Sequence, residues 1–243
     1  MSRAVLSSPH AVPAAAHHRR EHRSLLAAAE KRLLIWIAGR LPRAITSDHL
    51  SLLGLVAMMA AGLAFAATPR GPLANAAVVV ALALNWFGDS LDGTVARVRD
   101  QQRPRFGFYV DHVIDLVGAT CLLGGLAYSG LMTPVLALAV LVAYLLLSAE
   151  IYLATHVSGV FRLSFAGWGP TELRIVLAIG AVAVTRYPWV SLLGIGPHRL
   201  FDVGGAVAVV GLFVTFVVSA AMQTRALYLA EPIPTVDRDR SVA

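Results

Sequence analysis

Six long apolar runs, separated by short polar or Gly/Pro-rich breaks, dominate this chain from Leu50 onward. The first extends from about Leu50 to Ala67 and stops at Thr68-Pro69-Arg70-Gly71-Pro72. The second starts near Leu73 and continues past Trp86. The third covers about Gly107 to Gly130, the fourth Pro134 to Thr155, the fifth Thr171 to Thr185 and the sixth Val203 to Met222. A helix of ~20 residues crosses a bilayer core about 30 Å thick, so the pattern predicts an all-α, polytopic membrane protein with six transmembrane helices. The stretch before them differs. Leu25, Leu26, Leu33, Leu34, Trp36, Ile37 and Leu41 alternate with Arg23, Glu30, Lys31, Arg32 and Arg40. Too charged to span, residues 24–44 read as an N-terminal amphipathic helix lying in the interface, with Trp36 at headgroup level. Residues 1–23, rich in Ala, His, Pro, Ser and Arg, are expected to form a disordered cytosolic tail. Residues 45–228 make the six-span domain, and 229–243 a second cytosolic tail.

Composition supports this division. Of 243 residues, 57% are hydrophobic and 14% charged, outside the range of soluble globular domains. The single cysteine, Cys121, excludes an intramolecular disulfide. A net charge of +6 would suit nucleic acid, but the basic residues lie in tails and short loops between apolar runs, which points away from nucleic acid and toward an anionic bilayer face. With the N-terminus inside, seventeen Lys/Arg fall in cytosolic segments, Arg97, Arg99, Arg103 and Arg105 among them, and only Arg70, Arg186 and Arg199 outside. The positive-inside rule then places both termini in the cytosol, in a membrane read as a bacterial inner membrane.

Four aspartates interrupt the apolar pattern: Asp89-x-x-Asp92-Gly93-x-x-Ala96-Arg97, then Gly107-x-x-x-Asp111-x-x-x-Asp115. A carboxylate within a span costs roughly 2.5–3.5 kcal/mol on insertion scales, so four of them require compensating charge. Two Mg²⁺ ions would cancel four negative charges and create an electrophilic site for a phosphate group. Residues three or four apart share a helix face, which puts Asn85, Asp89, Asp92 and Ala96 on one stripe and Gly107, Asp111, Asp115 and Gly118 on another. The two spans are antiparallel neighbours, so the stripes can meet at the same depth on the cytosolic side. Small residues on them leave room for close helix approach or for a ligand. Arg97 can grip a phosphate with a planar, permanently charged fork.

These residues resemble the signature of the CDP-alcohol phosphotransferase family, D-x2-D-G-x2-A-R-…-G-x3-D-x3-D. The loop Val98–Phe106 is one residue longer than the family's usual spacing. Where the family often has Pro-Asn-x-x-Thr at the start of the first span, this chain reads Ser47-Asp48-His49-Leu50-Ser51. The resemblance implies a phospholipid-synthesis enzyme that moves a phosphatidyl, or substituted phosphoryl, group from a CDP-linked donor such as CDP-diacylglycerol to an alcohol hydroxyl, with release of CMP. It further implies that Asp89, Asp92, Asp111 and Asp115 bind two Mg²⁺ ions, with Mn²⁺ able to substitute, and that Asp115 is the base. Gly93, Ala96, Arg97 and Gly107 would line the CDP-donor site, and a homodimer is implied as well.

Alternatives stay open at this point. Within the family, CDP-choline or CDP-ethanolamine could donate to diacylglycerol. From another class, a divalent-metal transporter would use the same carboxylates, though it would not need Gly93, Arg97 and Gly107 at these spacings. Glu150, deep in the fourth span, is expected to face the polar cavity. Together with Arg162, Thr171 and Arg174 it makes a candidate acceptor pocket; the plainer reading of Thr171 and its neighbours is a helix start and interfacial anchor. His112 sits a helical step off the aspartate stripe and reads as a packing or hydrogen-bonding residue.

Overall fold

The computed structural model describes residues 19–21, 27–158, 160–162, 170–192 and 195–231. In chain order these form β1 (Arg19–Glu21), α1 (Ala27–Ala38), α2 (Ser47–Ala66), α3 (Pro72–Val98), α4 (Pro104–Ser129), α5 (Pro134–Ser158), β2 (Val160–Arg162), α6 (Pro170–Ala183), β3 (Trp189–Leu192), β4 (Ile195–Arg199) and α7 (Leu200–Ala230). The polar breaks act as helix punctuation. Proline opens α3, α4, α5 and α6, where its fixed φ suits the first turn and its missing N–H would have had no helical partner. Thr46 caps α2: its Oγ1 accepts from the His49 N–H, and the His49 ring accepts from the Thr46 N–H. Gly130 ends α4 with φ 74°, a left-handed turn that favours glycine.

Five helices, α2, α3, α4, α5 and α7, are long and apolar enough to cross a membrane, and the chain is an integral membrane protein of helical type. The expected fifth span is the exception. Its helix, α6, has 14 residues, about 21 Å at 1.5 Å per residue, short of a bilayer core; residues 163–169 lie outside the described part. Three smaller departures accompany it. Arg19–Glu21, expected inside a structureless tail, pair in parallel with Val160–Arg162. The stretch read as a loop after α6 contains an antiparallel hairpin, β3 with β4. Helix α7 runs on to Ala230, past the expected boundary at 228. The rest of the two tails lies outside the described residues.

Helix α2 is the central element, packed on both α3 and α4. It meets α3 where Gly54 faces Gly88: a Cβ on Gly88 would lie 2.6 Å from Leu50 O and from Gly54 N. It meets α4 where Gly62 lies against Cys121 and Gly125, backbone to backbone. Small residues at such crossings let helices approach where lipid offers no hydrophobic drive. Around the second crossing Ala61, Phe65, Val78, Leu82, Leu122 and Leu126 form the main core. Phe201 at the start of α7 closes it, edge-on to Phe65 with ring centroids 5.6 Å apart. Helix α1 buries Leu34 and Ala38 against Leu50, Leu91 and Val95, while Leu33, Ile35 and Trp36 stay exposed.

Candidate active site

The aspartate stripes of α3 and α4 do face each other, and α2 supplies the third wall. One pocket is lined by Ser51, Gly54 and Met58 from α2, Asn85, Asp89 and Asp92 from α3, and Asp111, Ile114, Asp115 and Gly118 from α4. Asp89, Asp111 and Asp115 each offer a carboxylate oxygen, and these lie within 4.8 Å of one another. Asp92 lines the same pocket but is not in that closest group; it accepts from the Ser51 hydroxyl at 2.6 Å and from the Gly93 N–H. The segment at the start of α2 thus delivers the Ser51 hydroxyl to the site.

Three half-buried carboxylates this close need positive charge. Among the described residues Arg174 of α6, 9% exposed, brings a cation to them. Its Nη2 donates to Asp89 Oδ2 at 2.5 Å and its Nε to Asn85 Oδ1 at 2.7 Å. Asn85 in turn donates to the Gly54 carbonyl at 2.8 Å. The remaining charge, together with three hard oxygen donors in reach of a common point, fits a divalent cation of the Mg²⁺ or Mn²⁺ kind.

Of the residues expected to form an acceptor pocket, Glu150, Thr171 and Arg174 bond to different partners, and the side chain of Arg162 lies outside the described part. Glu150 is buried and accepts from Ser219 of α7 at 2.8 Å, so it ties α5 to α7 instead of facing the carboxylate cavity. Thr171 donates to Glu30 of α1 at 2.8 Å. Arg162 lies in β2. Arg174 reaches Asp89. Glu30 is a junction that sequence reasoning passed over: it also accepts from Trp86 Nε1 at 2.7 Å and Ser90 Oγ at 3.4 Å. A lone glutamate facing apolar helices was the available signal. His112 is buried, stacked on Phe108 at 4.1 Å and edge-on to Tyr152 at 4.6 Å, with its Nδ1 on the Phe108 carbonyl at 2.6 Å. That bond makes Nδ1 the protonated nitrogen, since a carbonyl only accepts.

The motif's other residues lie on α3 and α4 outside the lining of the carboxylate pocket. Arg97 donates to Thr94 Oγ1 at 3.1 Å, and its guanidinium lies over Gly93, where a Cβ would come within 3.2 Å of Nη1. A Cβ on Gly107 would meet nothing within 4 Å. Neither glycine serves helix packing, which falls instead to Gly54, Gly88, Gly62 and Gly125. In the loop, Arg99 donates to the carbonyls of Ile45 at 2.6 Å and Leu41 at 2.9 Å, and Arg103 pairs with Asp48. Beside these contacts Asp100 takes a left-handed conformation with φ 54°.

Fold and site together define a helical membrane protein with a carboxylate-lined cavity between its second and third long helices. The family model for CDP-alcohol phosphatidyltransferase matches residues 41–226, and the chain belongs to that family, a transferase of substituted phosphate groups. No curated sequence matches this one at a significant level. Among solved structures it is similar to Mycobacterium tuberculosis phosphatidylinositol phosphate synthase, PgsA1, at 21% identity and TM-score 0.50, covering 85% of this chain and 98% of that one. One such structure has CDP-DAG bound, and another is in complex with manganese and citrate. At that identity the likeness speaks for the fold.

Proposed function

We propose that this protein is a phosphatidyltransferase of membrane-lipid synthesis, taking CDP-diacylglycerol as donor and a polar alcohol as acceptor and releasing CMP. The observation that carries the reading is the convergence of Asp89, Asp111 and Asp115 within 4.8 Å, in a chain whose family performs CDP-alcohol chemistry. CDP-DAG in the similar PgsA1 structure supports the choice of donor.

Asp89, Asp92, Asp111 and Asp115 would hold two Mg²⁺ ions, or Mn²⁺ in their place, which when bound supply charge neutralisation and Lewis acidity toward a diphosphate. Arg97 sits one turn beyond Gly93 and suits a phosphate oxygen; Gly93, Ala96 and Gly107 leave backbone accessible for the cytidine diphosphate. Asp115 takes the proton of the acceptor hydroxyl as its oxygen attacks the phosphorus distal to cytidine. The new P–O bond forms as the bond to CMP breaks, and CMP leaves with the electron pair. A carboxylate is a weak base toward an alcohol, so the gain comes from holding the hydroxyl in line with the phosphorus.

The positive-inside distribution supports a cytosolic site with both termini on the same side. That arrangement requires α6 to count as a sixth crossing, with α1 lying in the interface and Arg40, just past its end, stacked over Trp36 at 4.0 Å. The experiment is CMP release by the purified protein with CDP-diacylglycerol or CDP-choline, each with a panel of polar alcohols and diacylglycerol. Turnover of CDP-diacylglycerol is expected. Turnover of CDP-choline with diacylglycerol alone would reverse which partner carries the lipid.

A further inference from the structure

The buried arginine of α6 is not part of the family signature, yet it touches the first carboxylate of that signature. Its guanidinium spans two acceptors one helical turn apart on α3, Asn85 Oδ1 through Nε and Asp89 Oδ2 through Nη2. Asn85 is itself fixed to the Gly54 carbonyl on α2. The backbone of α2 closes the same side: a Cβ on Gly54 would lie 3.4 Å from Asp89 N and 3.7 Å from Asp89 Cβ. Asp89 is therefore braced on one oxygen by α6 and along its own backbone by α2. Helix α6 is pinned for this task at a second point, because Thr171, one turn before Arg174, is hydrogen-bonded to Glu30 of α1.

We propose that Arg174, with Asn85, is a positioning pair for Asp89. It fixes the rotamer of that carboxylate so that Asp89 meets Asp111 and Asp115 in the geometry a divalent cation requires. The inference rests on the reading of these aspartates as a metal site. Outer partners that hydrogen-bond a ligating carboxylate orient it, and their loss typically costs 10–100-fold in metal affinity or activity. An ammonium cannot take the guanidinium's part, since a point charge lacks the planar fork that reaches both acceptors. The charge of Arg174 and its geometry act in opposite directions on a bound cation. As a charge alone it would repel the metal, and its removal would tighten binding.

Two substitutions in the purified full-length protein separate geometry from charge. Arg174→Lys keeps the charge and loses the fork; Asn85→Leu is neutral and loses the link to Nε. Mn²⁺ binding is followed by the electron paramagnetic resonance signal of the unbound ion, with circular dichroism and a thermal melt confirming the helical fold. Both variants are expected to bind Mn²⁺ about tenfold or more weaker than the unaltered protein, as the loss of an outer partner predicts. If one variant does not fold, the other decides. Unchanged or tighter Mn²⁺ binding in the folded variants overturns the inference. So does an effect confined to the acceptor KM, which would return Arg174 to an acceptor pocket. Absence of Mn²⁺ binding by the unaltered protein would remove the metal reading itself, and is thereby distinguished from failure of the positioning role.

Discussion

The hydroxyl of Ser51 donates to Asp92 Oδ2 over 2.6 Å, and this one bond ties the first long helix to the second carboxylate of the signature. A hydrogen bond to a charged group is worth about 1.5–3 kcal/mol. Ser51→Ala leaves Asp92 with one orienting partner fewer in a half-buried site. Catalytic efficiency with CDP-diacylglycerol is expected to fall about tenfold or more, with the helical fold retained by circular dichroism. Unaltered efficiency across a Mg²⁺ titration would make the contact incidental.

Asp115→Asn tests the base. Asparagine is nearly isosteric, so packing between Ile114 and Gly118 should survive, but it cannot take the hydroxyl proton at neutral pH. General-base catalysis contributes typically 10²–10⁴-fold, so turnover is expected to fall by at least about 100-fold while CDP-donor binding weakens less. CMP release and donor binding are compared in the same detergent preparation. Near-normal turnover would exclude Asp115 as the base, and parallel loss of both would reduce it to a ligand.

Arg97→Lys should raise the apparent donor KM more than it disturbs folding. The guanidinium lies over Gly93 near the C-terminal end of α3; toward a phosphate it would offer a bidentate grip where an ammonium offers only a point charge. Donor titration checks this; an unchanged donor KM would move Arg97 to a structural role beside Thr94.

Gly88→Ala addresses the fold. The added Cβ would stand 2.6 Å from two backbone atoms of α2, which cannot yield without separating α2 from α3. Overpacking of this kind costs typically 1–3 kcal/mol. A lower melting temperature in detergent is expected, together with loss of activity because Asp89 and Asn85 ride on the displaced helix. A melting temperature equal to that of the unaltered protein would show that the crossing is looser than described.

The aspartate stripes were legible in the sequence because spacing of three and four is a property of a single helix, and a short loop makes α3 and α4 neighbours. The site's other partners were not legible for the complementary reason. Periodicity gives a face within a helix but not the angle between helices distant in sequence. Thus Arg174 reaches Asp89 across 85 residues and Thr171 reaches Glu30 across 141. Glu150 illustrates the same limit: its depth in an apolar span signalled a polar partner, and that partner is Ser219, not the cavity. The motif glycines read equally as packing or ligand space from sequence, and only the crossings at Gly54–Gly88 and Gly62–Gly125 separate the two uses. The hairpin of Trp189–Leu192 and Ile195–Arg199 was hidden by Pro188, Gly194, Gly196 and Pro197, which mark a loop as readily as a turn between short strands.

Metal dependence of phosphatidyl transfer is what a site built from these converging carboxylates would require. Its most direct test is CMP release from CDP-diacylglycerol by the purified protein, after exhaustive chelation and again after Mg²⁺ or Mn²⁺ is returned, with the lipid product identified by mass spectrometry. No CMP is expected after chelation, with recovery by either ion and one phosphatidyl-alcohol formed for each CMP released. Full transfer in the chelated protein would contradict it.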